Sequence, residues 1–248
     1  MAVGELRQMT LAPLSRTIHT MPELRAARQM PWGTDRLFAS APIAALLAHE
    51  QLLAAPDISR VFGHGGLFVR PCADSPALLP GAMTQVMMQL YRCAGGMSGD
   101  VRCSDDALPI ATACLSLVYA QHVLESSPAG TQLMGEVARV LAPEGVAIFV
   151  VFNPLSLVRL RWCNSGLRAI TPSQVARMLG EHGLEVRTIR PLGYCWRAPA
   201  SCDVGSDMKR SSRLASSYLV LARKRVHGMT PLRVGGARVA WNNGVGAQ

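Results

Sequence analysis

The pattern of apolar and polar residues along this chain predicts alternating strands and helices. Apolar runs at residues 115–120 and 146–152 predict strands that are buried on both faces of a sheet. Between them, residues 130–141 carry apolar side chains at helical spacing, which predicts an amphipathic helix. This alternation is typical of an α/β fold with a Rossmann-like, largely parallel sheet flanked by helices.

Further elements extend the pattern on both sides of this core. Strands are also predicted at residues 66–71, 84–92, 101–103, 184–189 and 217–223, with a helix as the alternative for 84–92. We expect a helix over residues 36–55, with several alanines and Leu52 on its buried face. Another helix is expected over residues 171–182, where Thr171 is suited to the N-cap and Pro172 to the first helical position.

The two ends of the chain lack this periodicity. Residues 1–35 contain three prolines and predict a poorly ordered N-terminal arm. Residues 226–248 are rich in glycine and arginine and predict a flexible tail. We therefore expect one domain over residues 36–225.

Charge changes this picture, because the net charge of +9 is unevenly distributed. Residues 1–150 hold 10 basic and 12 acidic residues, whereas residues 151–248 hold 15 and 4, a net charge of +11. A basic half attracts nucleic acid, anionic lipid or an acidic substrate. A coding bias is the alternative, since only Lys209 and Lys224 are lysines. Without a basic stripe interleaved with aromatic residues, nucleic acid is not the partner that we expect.

The seven cysteines form no C-x-x-C pair. This favours reduced thiols and a cytoplasmic location over a zinc site or a disulfide framework, so no metal is predicted. The apolar runs are far shorter than the roughly 18–20 residues that cross a bilayer. We therefore expect no membrane span, and the sequence leaves the oligomeric state open.

The stretch from Asp100 to Asn153 resembles the second half of a class I S-adenosylmethionine-dependent methyltransferase. It passes from an acidic loop through Leu108-Pro109 and a buried strand to Gln121-His122. A helix, the segment Pro143-Glu144-Gly145 and another buried strand follow. The sequence FNPLSL at residues 152–157 is similar to that of bacterial methyltransferase-like proteins of the type 11 class.

This resemblance implies S-adenosylmethionine as the cofactor and a small molecule as the methyl acceptor. Asp105 or Asp106 would accept a hydrogen bond from the adenine amine, since a carboxylate is only an acceptor, and Asp106 fits the family's position slightly better. Leu108 would stack on the adenine ring. The backbone of Gln121 and His122 would face the methionine part of the cofactor.

Two residues are candidates for catalysis. His122 is a candidate base because the ordinary pKa of histidine lies near 6.5, and the alternative is a histidine that only caps the next turn. Asn153 is a candidate for holding a carbonyl or hydroxyl of the substrate. The dipeptide Asn153-Pro154 is equally suited to a turn that ends a strand.

The first half of the chain departs from the family. Its only glycine-rich candidate, Gly63–Gly66, is interpreted as a turn before the first strand; the alternative makes residues 58–62 that strand and the glycines its loop. The second strand ends in Arg92, where the family has an acid that holds the ribose, and arginine cannot accept a hydrogen bond.

These departures keep two further hypotheses open. The chain is either a methyltransferase or a degenerate member of the family that acts as a binding or regulatory protein. A third hypothesis is an RNA-directed methyltransferase that uses the basic half of the chain.

Overall fold

A computed structural model of the protein describes residues 34–194 and 214–225. In these residues, seven strands form one mixed sheet. The strands are β1 (Phe62–Arg70), β2 (Met83–Cys93), β3 (Gly96–Gly99), β4 (Leu115–Gln121), β5 (Leu141–Phe152), β6 (Leu184–Leu192) and β7 (Ser217–Lys224). Their order is β3-β2-β1-β4-β5-β7-β6, and β2, β1, β4 and β5 are parallel neighbours. β3 and β7 run antiparallel to the strands beside them.

Helices cover both faces of the sheet. They are α1 (Thr34–Phe38), α2 (Ala41–Ile58), α3 (Gly130–Val140), α4 (Arg159–Trp162) and α5 (Pro172–Glu181). The apolar sides of α3 and α5 pack on one face, and the second half of α2 packs on the other. This architecture confirms the predicted Rossmann-like, largely parallel α/β fold class.

The central elements lie where the apolar pattern predicts them. β4 and α3 match their predicted ranges to within one residue, and residues 84–92 are a strand rather than a helix. β5 ends at Phe152 as predicted but begins at Leu141, five residues before the predicted start, so the segment Pro143-Glu144-Gly145 lies inside the strand. Thr171 is the N-cap of α5, and its hydroxyl accepts a hydrogen bond from the backbone N–H of Gln174 at 3.3 Å. The arm predicted for residues 1–35 lies almost wholly outside the described residues, and the tail 226–248 lies entirely outside them.

The helix predicted over residues 36–55 is wrong in two respects. It is two helices, because Ser40 has an extended backbone and caps α2, which begins with Pro42 in its first turn. Its buried face is also a different one, since Leu52 is exposed while Glu50 and Gln51 are buried. Hydrogen bonds within the protein offset the cost of burying these two polar side chains, and the helical pattern alone does not reveal such bonds.

Two predictions about the first half of the sheet are also wrong. Gly63–Gly66 is not a turn but the first part of β1. Residues 101–103 are not a strand, and only Cys103 makes an isolated bridge, to Met97 of β3. The third strand is instead β3, which forms a tight hairpin with β2 because Gly95 adopts a φ of 88°.

The connection from β1 to β2 carries no helix over residues 71–82. Pro71, Pro76 and Pro80 prevent a regular helix there. Phe62 and Met83, which pair in the register of the two strands, therefore remain exposed to solvent. Separately, within the part of the chain that the structure describes, no helix is both long and apolar enough to cross a membrane.

Candidate functional site

The polar residues of the candidate site lie at the carboxyl ends of the parallel strands. β4 ends at Gln121, and β5, its neighbour, ends at Phe152. In open α/β sheets this edge is where ligands bind. His122 follows β4 directly and adopts a φ of 50°, a conformation that is uncommon for residues other than glycine. Such a conformation persists only where its surroundings enforce it.

His122 lies between two glutamates. Its Nε2 is 2.8 Å from Oε2 of Glu50, which comes from α2, and its Nδ1 is 3.0 Å from Oε1 of Glu125. All three side chains are shielded from solvent. The pair of contacts fixes both the position of the ring and the approach of α2 to the sheet.

Other donors complete this buried network. Glu50 also accepts hydrogen bonds from Nε2 of Gln121 at 3.0 Å and from the hydroxyl of Ser217 at 2.5 Å. Glu125 accepts one from the backbone N–H of Phe152 at 2.7 Å. We call Glu50, Gln121, His122, Glu125 and Ser217 the buried carboxylate network. Its donors come from β4, β7 and the end of β5, so it joins α2 to three strands.

The network sets the protonation state of His122. Burial alone would lower the pKa of the imidazole, but the charge of Glu50 and the hydrogen bonds to Glu125 and Glu50 outweigh burial and raise this pKa to about 9. At neutral pH the ring is therefore an imidazolium that donates both N–H groups. Such a ring has no lone pair to take a proton, so the structure gives no support to His122 as a base.

Aromatic side chains fill the space beside this histidine. The ring of Phe152 stacks on His122 with centroids 3.8 Å apart, and Phe38 and Trp162 stack on Phe152 from either side. All of these rings are buried. The protein's own side chains therefore occupy this part of the carboxyl edge.

Asp105 is one of the two candidates for binding adenine. Its side chain is 6% exposed, and it forms a salt bridge with Arg92, whose side chain is 2% exposed. The second carboxylate oxygen of Asp105 accepts a hydrogen bond from the hydroxyl of Ser127 at 2.5 Å. Both oxygens are thus engaged within the protein, and one partner is the arginine that replaces the expected ribose-binding acid.

The other two predicted adenine contacts, Asp106 and Leu108, lie in different environments. Asp106 is exposed, whereas Leu108 is buried in the core. The backbone N–H of Leu108 donates to Oε2 of Glu136 at 2.8 Å, and its carbonyl accepts from Arg139 at 2.9 Å. Two residues of α3 therefore hold both backbone polar groups of Leu108, and no face of this leucine is open to a ring.

Asn153 has the geometry of a turn. Its Oδ1 accepts a hydrogen bond from the backbone N–H of Leu155 at 3.0 Å, and its Nδ2 donates to the carbonyl of Ala215 at 2.9 Å. Both ends of the amide thus hold local structure together. This matches the turn interpretation of Asn153-Pro154 and gives no support to a role in holding substrate.

The glycines of β1 lie against protein side chains. A Cβ on Gly63 would lie 1.9 Å from Oγ of Ser116, and one on Gly66 would lie 2.7 Å from the side chain of Met87. These glycines are in the first part of β1, away from its carboxyl end. They leave room for neighbouring strands of the sheet and form no cradle for a ligand at the opposite edge.

Substituting Gly63 with alanine should therefore destabilise the sheet. We expect Gly63→Ala to lower the free energy of unfolding by about 1–3 kcal/mol, because the new methyl group overlaps Ser116. Adding Ser116→Gly should restore most of that loss, and urea denaturation measures both. Gly180→Ala is the matched control, since nothing lies within 4 Å of the added atom, and it should leave stability unchanged or raise it. An unaffected Gly63→Ala variant would contradict the packing role.

The loop after β1 is closed by an arginine. Arg70 ends the strand, is buried, and its guanidinium donates to the carbonyls of Ala73 at 3.1 Å and Ser75 at 2.7 Å. Gln51 of α2 donates to the carbonyl of Pro76 at 3.2 Å. The loop is thus tied down on its own residues and on α2, in place of a glycine loop that leads into a helix.

Sequence reasoning missed the partners of the predicted site residues. It identified Asp105, Gln121 and His122, but not Glu50 and Glu125. The contact of Glu125 with His122 could have been predicted from the sequence, because the two residues stand three positions apart in the segment that carries the family resemblance. Nothing in the sequence indicates the contact of Glu50 with His122, since the two residues are 72 positions apart along the chain.

Solved structures share this fold. One is a chain from the complex between the Haloferax volcanii Trm112 methyltransferase activator and a protein assigned as a methyltransferase. It is 14% identical to this chain, with a TM-score of 0.50, and the match covers 79% of this chain and 99% of that chain. A Bacillus halodurans protein assigned as a methyltransferase is 15% identical, with a TM-score of 0.50. The match covers 70% of this chain and 99% of that protein. The [4+2]-cyclase SpnF is 15% identical, with a TM-score of 0.50, and the match covers 74% of this chain and 82% of SpnF.

No family model and no curated protein matches the sequence. At these identities the likeness concerns the fold alone. The chain therefore shares the α/β fold of these methyltransferase structures. One protein with this fold is named a cyclase, so the fold does not define the reaction.

Proposed function

We propose that this chain is a degenerate member of the methyltransferase fold, which has lost the cofactor site and acts as a binding or regulatory module. One observation carries the proposal. Asp105, one of the two carboxylates that the family resemblance offers for adenine, is buried and bonded on both oxygens, to Arg92 and Ser127. To bind a cofactor, it would have to leave a buried arginine without its counter-charge, which is costly.

The identity of Arg92 supports the same proposal. In the family, an acid at the end of the second strand accepts hydrogen bonds from the ribose hydroxyls. Arg92 stands at that end and has only donors, and its guanidinium is turned to Asp105 inside the protein. Arg92, at the position for the ribose, and Asp105, one of the two candidates for adenine, thus neutralise each other.

The residues that the resemblance places beside the methionine part of the cofactor do not form a binding site for it either. Gln121 and His122 are fully buried, and the backbone N–H of His122 donates to the carbonyl of Val150 at 2.8 Å. The glycines of β1 lie against Ser116 and Met87. The residues present therefore do not fit S-adenosylmethionine, and we assign no step of methyl transfer to them. They do fit a rigid edge that fixes α2 and the loops around it.

A methyltransferase acting on a small molecule is the second candidate. Asp106 favours it, because this acid is exposed and stands at the position that suits the family's adenine contact. Oε2 of Glu125 also favours it, since this atom is buried without a hydrogen-bond partner in the described part of the chain. A donor on a small ligand would satisfy that oxygen.

Calorimetric titration with S-adenosylmethionine and S-adenosylhomocysteine separates the two candidates. We expect no binding heat up to millimolar ligand from a folded sample of the full chain. The Asp106→Ala variant, which removes an exposed side chain, should give the same flat titration. Micromolar binding that Asp106→Ala abolishes would contradict the proposal and establish the second candidate.

A further inference from the structure

The turn that follows β5 exposes an unusual set of apolar side chains. Leu155, Leu157 and Leu160 are 72%, 49% and 70% exposed, respectively. Leu157 and Leu160 are neighbours on one short turn, because the backbone N–H of Leu160 donates to the carbonyl of Leu157 at 3.2 Å. Exposed leucines that occur singly are ordinary, but three within six residues mark an interaction surface.

Internal contacts hold these leucines outward. Ser156, Val158 and Trp162 alternate with them and are buried. The hydroxyl of Ser156 accepts a hydrogen bond from the backbone N–H of Val158 at 3.1 Å, which fixes the turn. The exposure of the leucines therefore follows from the fold of the segment. We call residues 155–160 the leucine turn.

The charge around the leucine turn is positive. Residues 145–180 contain four arginines and no acidic residue. Arg159 and Arg168 are exposed, and among the described residues neither takes part in a salt bridge. The guanidinium of Arg159 donates to the carbonyl of Pro154 at 3.3 Å, which keeps it beside the turn. Arg36 of α1 is exposed as well and lines a groove with Asn164 and Ser165, close beyond the turn. An anionic partner would complement this surface.

We propose that the leucine turn and its arginines dock the protein on an anionic membrane surface. Side chains that are about 70% exposed protrude from the surface, as needed to enter the boundary between headgroups and acyl chains. Arginines beside them would meet lipid phosphates. A single-stranded nucleic acid is a poorer fit, since it stacks on aromatic side chains, and Phe152 and Trp162, the aromatic residues that flank the turn in the chain, are both buried.

This docking surface goes beyond the proposed function and does not depend on it. It contains none of the residues assigned to the cofactor, so a positive cofactor titration would leave it intact. Conversely, loss of vesicle binding would not restore a cofactor site.

Sedimentation of the full chain with vesicles tests the proposal. One set of vesicles is pure phosphatidylcholine, and the other is an equal mixture of phosphatidylcholine and phosphatidylglycerol. We expect the mixed vesicles to bind at least about tenfold more tightly, as expected for two or more arginines near an anionic surface. The triple variant Leu155→Ser/Leu157→Ser/Leu160→Ser and the double variant Arg159→Gln/Arg168→Gln should each weaken binding to mixed vesicles by about tenfold or more.

The controls make the same types of substitution at exposed positions away from the leucine turn. Leu78→Ser removes a leucine that is equally exposed, and Arg60→Gln/Arg102→Gln removes two exposed arginines. Both controls should bind mixed vesicles as the natural chain does. Equal binding to the two kinds of vesicle, or full binding by either turn variant, would overturn the proposal. So would salt-sensitive binding of a single-stranded RNA by a chain that ignores both kinds of vesicle.

Discussion

Replacing Asp105 with alanine should lower the free energy of unfolding by about 3–5 kcal/mol. The reason is that Arg92 would remain in the interior, where its side chain is 2% exposed, without the carboxylate that neutralises it. The hydroxyl of Ser127 would lose its acceptor as well. Urea denaturation at neutral pH, followed by circular dichroism, measures the change.

Asp106 provides the matched control for this prediction. It is the same residue type, one position along the chain, but it is exposed. Asp106→Ala should change the free energy of unfolding by about 0.5 kcal/mol or less, as is usual for surface substitutions. If both variants were equally stable, the salt bridge to Arg92 would not be part of the folded structure.

Stability should also fall by roughly 3 kcal/mol as the pH rises from about 6.5 to about 9. The pKa of His122 is raised to about 9 in the folded protein, from an ordinary value of 6.5. Since the folded pKa is the higher one, the stabilisation is complete below about pH 6.5 and is lost as the pH rises through 9. Loss of the proton would leave Glu50 and Glu125 facing a neutral ring.

Urea denaturation at a series of pH values between 6 and 8.5 measures this slope. The range stops there because the pKa values of the buried thiol of Cys72 and the half-buried thiol of Cys103 are raised as well, so these groups also lower stability at higher pH. In the His122→Gln variant, the free energy of unfolding should no longer fall as the pH rises. In the His64→Gln variant, where the substituted residue is exposed, it should fall as in the natural chain. A flat profile for the natural chain would contradict the imidazolium assignment.

The sequence predicted the fold well where local pattern decides structure. β4, β5 and α3 follow from continuous apolar runs and from helical spacing, and Thr171 caps α5 as its residue type suggests. Such elements are stabilised by their own buried faces. The family resemblance lay in this same part of the chain.

The sequence predicted the site poorly because its contacts are distant along the chain. Arg92 was recognised as unsuited to ribose, but its pairing with Asp105 depends on the β2–β3 hairpin, which was not predicted. Glu50 was not identified as a site residue, because a charged residue in a helix usually lies on the surface. Only the folded chain brings its carboxylate to His122.

The central claim is that the edge of the sheet where a cofactor would bind is closed by the protein's own ion pairs. A crystal structure determined in the presence of millimolar S-adenosylhomocysteine tests it most directly. We expect no density for the ligand at the carboxyl ends of β1 and β4, and we expect the salt bridge between Arg92 and Asp105 to be intact. Ligand bound there, with Asp105 or Asp106 on the adenine amine, would contradict it.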